Sequence, residues 1–132
     1  MSQPVPVLVT MTDVPADRRR GGDLRTLLSP RNVGTTAGFM GAATIPPGEF
    51  IGEHFHPYSD EFLFCVRGEL TVDLDDEPWV MAGEQALFIP IGTRHRLRNT
   101  GSGEALVVFH LGPLAPRPEL GHVDTETLEH TS

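Results

Sequence analysis

From Pro46 to Gly103 the chain is cut at short intervals by turn-forming sequences: Pro46-Pro47-Gly48, Arg67-Gly68, Asp75-Asp76-Glu77-Pro78, Pro90-Ile91-Gly92 and Gly101-Ser102-Gly103. Proline lacks the amide hydrogen a helix interior needs, while glycine and aspartate admit the backbone angles of tight turns. The stretches left between them are too short for helices of ordinary length, and helical periodicity is scarce. We therefore expect strands at 5–10, 24–28, 36–45, 53–56, 61–66, 69–74, 79–81, 86–89, 95–98 and 105–111. Short strands at hairpin spacing predict an all-β protein, an antiparallel double-sheet jelly roll with N-terminal strands. At 132 residues there is room for one domain, 1–132, with its barrel core at about 24–112. After Gly112 a Pro-rich stretch, 113–118, leads into an irregular acidic tail that is either loose or strapped across the barrel.

Composition excludes several kinds of chemistry. Cys65 is the lone cysteine, so no intrachain disulfide can form, and no apolar run is long enough to cross a bilayer. The first residues have neither a basic segment nor a long apolar one, so we expect a cytoplasmic protein without a membrane partner. A net charge of -8 and a pI near 5.1 argue against nucleic acid as a partner. All 10 basic residues are arginines. Schiff-base catalysis needs a lysine amine, so any enolate stabilised here must be handled by a metal or by hydrogen bonds.

Two blocks carry metal-ligand spacing. The first reads Gly48, His54, His56, Glu61, Gly68, and the second Gly83, Pro90, Gly92, His95, Asn99. Residues two apart on a strand share a face, so His54 and His56 can aim at one point. Glu61 and His95 bring a carboxylate and a third imidazole, a donor set that suits Zn, Fe, Mn, Ni or Cu. We expect one divalent ion per chain, zinc before the others. These blocks resemble the two cupin motifs: G-x5-H-x-H-x4-E-x6-G is matched from Gly48 to Gly68 without a gap, and the second motif from Pro90 to Asn99. Six residues rather than five separate Gly83 from Pro90, which we read as a loop extension or bulge near 84–86.

Parity sorts the neighbours of the site. Leu63 and Cys65 fall on the face of Glu61, and Leu97 and Asn99 on that of His95. Leu63 and Leu97 are the first candidates to line a substrate cavity, with Phe39 and Phe55 beside them, and Cys65 reads as a small buried hydrophobe. His110 shares a face with Leu106 and Val108 at the end of the last strand, so it competes with Glu61 to complete the ligand shell. Otherwise Glu61 serves as an acceptor or as a catalytic base. His122 and His130 lie in the tail and are expected to be exposed bystanders. Phe62 and Phe64 belong to the opposite, outer face, which with the open sheet edges predicts a two-fold homodimer.

A narrower resemblance covers nearly the whole chain. The stretches 19–30, 56–63, 90–97 and 110–124 are similar to those of the small cupin cyclases of bacterial aromatic polyketide pathways. That resemblance implies a cyclase or aromatase acting on a hydrophobic poly-β-ketone, by aldol closure and loss of water, with Glu61 and His95 at its centre. The same ligands would also serve a cupin oxygenase with an aromatic or quinol substrate, or a non-catalytic small-molecule binder. A substrate delivered on an acidic acyl carrier protein, or by other synthase components, would dock at Arg18, Arg19 and Arg20, the one basic cluster.

Overall fold

The computed structural model describes residues 5–126. Ten strands follow in order: β1 (Asp23–Leu28), β2 (Phe39–Ile45), β3 (Phe50–Phe55), β4 (Asp60–Arg67), β5 (Glu69–Leu74), β6 (Glu77–Ala82), β7 (Ala86–Ile89), β8 (His95–Arg98), β9 (Ala105–Gly112) and β10 (Val123–Asp124). They form two five-stranded antiparallel sheets, β1-β2-β9-β4-β7 and β10-β3-β8-β5-β6. The expected jelly roll is present, with one α-helical turn, Pro30–Val33, after β1 and 3-10 turns at Met11–Asp13 and Pro118–Leu120. Among the described residues no helix is long and apolar enough to cross a membrane.

Alternation along the strands builds the core. In β4, Glu61, Leu63 and Cys65 are buried while Phe62, Phe64 and Val66 are exposed. Ala105, Val107, Phe109 and Leu111 of β9 face the same interior, where they meet Leu70, Val72 and Leu97 from the other sheet. Turn chemistry fixes the registers. Asp75 and Asp76, with φ of 47° and 73°, make the two-residue hairpin that pairs Leu74 with Glu77. Pro78 sits on β6, at the edge of its sheet, where a missing amide hydrogen costs least. At the β4–β5 turn, Gly68 has φ 92° and any Cβ there would lie 2.7 Å from Ala105 Cα, so the motif glycine is required by a close backbone approach.

Two strand expectations change. Residues 5–10 form no strand: Pro6 lacks the amide a ladder needs, and Val5, Val7 and Leu8 stay exposed, so the segment buries no face against either sheet. The short β10 was not anticipated, because its two residues carry no pattern of their own and are ordered by pairing with Phe55 and His54 of β3. The additional residue before Pro90 is absorbed in a turn, with Glu84 at φ 71° and its amide donating to the Cys65 carbonyl at 2.7 Å.

Candidate metal centre

One end of the barrel gathers His54, His56, Glu61 and His95, all buried, with one ligand atom of each within 4.8 Å of the others. Sheet topology explains the convergence. Glu61 is the second residue of β4 in one sheet, while His54 of β3 pairs with His95 of β8 in the other. Between Ile51 and His54 the β3–β8 register slips by one residue, a bulge that lets Ile51 enter the core and still turns His54 inward. The motif glycine Gly92, at φ 81°, donates its amide to the His56 carbonyl at 3.0 Å, tying the second block to the first just before His95.

Each imidazole is held by the backbone. Nδ1 lies 2.7 Å from the Gly52 carbonyl in His54, 3.0 Å from Gly121 in His56 and 2.9 Å from Thr93 in His95. A carbonyl oxygen only accepts, so every Nδ1 carries a proton and every Nε2 is left free to bind inward. Nε2 of His56 and Nε2 of His95 each lie 3.2 Å from Glu61 Oε1. The His95 atom is buried without a hydrogen-bond partner, since the nearby oxygen lies off the direction in which a ring N–H would point. Lone pairs turned toward a carboxylate repel it unless a positive charge sits among them. The donor set and its orphaned nitrogen therefore fit a divalent cation.

Without an ion, burial and the neighbouring groups set the charges of the cluster instead. Burial, with His95 beside it, lowers the pKa of His54 to about 3 and keeps the ring neutral. Burial disfavours both the charged form of His95 and that of Glu61. Their mutual attraction outweighs it, raising the pKa of His95 and holding that of Glu61, which also faces His56, below the usual carboxylate range.

Other expectations are redistributed. His110 is excluded from the cluster: it does share a face with Val108, but that face is the outer one, where His110 is exposed and packs near Phe62 at 6.1 Å. Phe55 alternates away from His54 and pairs with Val123, so it turns from the interior, while Leu63 and Leu97 are buried in the core. Phe39 is half-buried, edge-on to Phe109 at 6.0 Å. The basic cluster is balanced locally, with Arg18 paired to Asp23, Arg19 to Asp17 and Arg20 to Asp124. His122 is no bystander. Its ring stacks on His54 at 4.4 Å and 16°, and its Nε2 lies 2.7 Å from Asp124. The available signal was its place in the resemblance-bearing stretch 110–124, outside every expected strand. His130 lies outside the described residues.

Residues 41–111, framing this cluster, match the family description "Cupin domain". The chain belongs to the cupin family. It is 58% identical over 125 residues to Protein SchB of Streptomyces halstedii, covering 95% of this chain and 91% of that one. It is likewise 58% identical over 121 residues to Polyketide synthase CurC of Streptomyces cyaneus, covering 92% and 79%. Among solved structures, this cupin superposes on the polyketide cyclase RemF from Streptomyces resistomycificus with a TM-score of 0.73 at 20% identity, over 95% of this chain and 89% of RemF. At that identity the likeness is one of fold.

Proposed function

We propose that this cupin is a metal-dependent polyketide cyclase. It closes a poly-β-ketone by intramolecular aldol addition and dehydration, with one zinc ion per chain held by His54, His56, Glu61 and His95. The observation that carries the reading is the set of three imidazoles with Nδ1 committed to carbonyls, two of which, His56 and His95, set Nε2 3.2 Å from one Glu61 oxygen, with His54 in the same 4.8 Å cluster. Identity of 58% to a protein named as a polyketide synthase component supports the substrate class. When bound, the ion would supply Lewis acidity to a substrate carbonyl.

The chain's own residues do the rest. Three neutral imidazoles and one carboxylate leave the site a net positive charge once a divalent ion is bound, which favours an enolate over the neutral ketone. With its pKa below the usual range, Glu61 is a weak base, and its main part is to hold the ion. Leu63 and Leu97 lie in the apolar core and Phe39 packs against it, so the ligand cluster is backed by dry, apolar packing that strengthens its electrostatics.

The outer face of β4 and β7 exposes Phe62 (54%) and Phe88 (50%), and we assign it to a two-fold homodimer. The protein is read as cytoplasmic. An acidic carrier protein would have to compete with Asp17 and Asp23 for the exposed side chains of Arg19 and Arg18. The test of the assignment is elemental analysis of His54→Ala, Glu61→Gln and His95→Ala beside the unaltered chain. About one zinc per chain, lost or sharply reduced in all three variants together with cyclisation, is expected; full occupancy in the variants refutes the ligand set.

A further inference from the structure

The stretch after the last long strand is built into the wall of the metal centre. The Ser59 hydroxyl donates to the Pro113 carbonyl where the strap leaves the barrel. The Gly121 carbonyl then accepts the Nδ1 proton of His56, the only bond among those fixing the three imidazoles that comes from outside the barrel strands and their turns. His122 lays its ring flat on His54, 4.4 Å away, and meets His56 edge-on at 5.3 Å. Val123 and Asp124 pair with Phe55 and His54. Three further contacts hold the segment in place: Asp124 with Arg20 at 3.1 Å, Glu126 with Arg96 at 2.8 Å, and the Thr125 hydroxyl with Glu53 at 2.7 Å.

We infer that residues 121–126 are a positioning strap for the metal ligands: the Gly121 carbonyl sets the tautomer of His56, and the His122 ring fixes the plane of His54. The reasoning is local. A histidine whose Nδ1 has no acceptor can exchange the proton to Nε2, which removes the inward lone pair. Carbonyl and carboxylate partners of ligand imidazoles are worth about 10- to 100-fold in metal affinity. His122 acts through His54 and not as a ligand, because its Nε2 is engaged by Asp124 and it stands outside the four-residue cluster. Its contribution is therefore one of shape, and another flat ring can replace it.

The inference rests on the metal reading above, and the experiment separates the two. Cobalt(II) is titrated into the full-length protein, with affinity taken from chelator competition and coordination from the visible d–d bands. In His122→Ala, and in the double variant Asp124→Ala/Glu126→Ala, affinity falls about tenfold or more and the bands shift. His122→Phe keeps affinity within about threefold and restores the bands, by the same second-sphere reasoning. Circular dichroism confirms that each variant is folded before titration. Should the folded variants bind cobalt as the unaltered chain does, the strap is not a positioning element, though the metal reading survives. His122→Phe as weak as His122→Ala would overturn the stacking role. Failure of the unaltered chain to bind cobalt overturns the metal reading, and the strap inference with it.

Discussion

Asn99 ends the second motif, yet it stands outside the ligand cluster and its side chain is spent on backbone groups. Its side chain is buried, 4% exposed, and makes three hydrogen bonds. Nδ2 donates to the Ile45 carbonyl at 2.7 Å and to the Gly103 carbonyl at 2.8 Å, and Oδ1 accepts from the Gly101 amide at 2.9 Å. The residue staples the end of β2 to the loop that enters β9. Asn99→Ala strands two acceptors and one donor. At about 1 kcal/mol per bond the loss is about 3 kcal/mol, before any penalty for a buried group left dry. With an unfolding entropy near 2.1 cal/mol/K per residue, that corresponds to a fall in Tm of about 10 °C for a chain of this length. Differential scanning calorimetry at fixed protein concentration reads it directly, because any dimerisation would make Tm concentration-dependent. Metal content at 20 °C stays that of the unaltered protein. A Tm within about 2 °C of the parent would refute the staple, and loss of metal from a folded variant would show that Asn99 belongs to the site.

Because His110 lies on the outer face, His110→Ala should leave metal content and affinity unchanged, as elemental analysis and chelator competition will show; a loss of metal would put the histidine back in the shell. In metal-free protein, the unfolded chain binds a proton at His54 between pH 6.5 and about 3 that the folded chain refuses, so stability is complete above 6.5 and falls as the pH drops through that window. The lowered pKa of Glu61 adds to the fall below pH 4.5, whereas the raised pKa of His95 removes stability only as the pH rises from 6.5 through its folded value. The urea midpoint of chelated protein should therefore peak near pH 6.5, and a midpoint that climbs on acidification toward 4.5 contradicts the assignment. Replacing the exposed Phe62 with Glu should shift light-scattering mass at micromolar concentration from dimer to monomer; a parent that is already a monomer removes the case for the outer-face interface.

The legible parts of this chain are those governed by strict periods. Alternation in β4 separates Glu61, Leu63 and Cys65 from Phe62 and Phe64, and motif spacing alone collects His54, His56, Glu61 and His95. What parity cannot supply is an absolute direction. It groups Leu106, Val108 and His110 correctly, but only the packing of the second sheet on the opposite face of β9, that of Ala105, Val107 and Phe109, decides that this set faces outward. The bulge before His54 is hidden for a related reason, since a one-residue slip shows only in the partner strand's register. The strap is least visible, because 121–126 are ordered by distant partners such as Arg96 and Glu53 rather than by any pattern of their own. Of the partners of Arg18, Arg19 and Arg20, Asp17 and Asp23 flank the run in the sequence, and only Asp124, far along the chain, is hidden from it.

Chemistry is decided by oxygen. Lewis-acid assistance to an aldol closure needs no change of oxidation state, whereas dioxygen activation does. The decisive measurement is turnover of a poly-β-ketone, generated in place by a minimal synthase, by zinc-loaded protein under strict anaerobiosis with product mass read by mass spectrometry. The account predicts undiminished turnover and a product lighter than its precursor by water, absent when His54→Ala or His95→Ala is used. Turnover that stops without O2, or labelled oxygen from O2 appearing in the product, would contradict it.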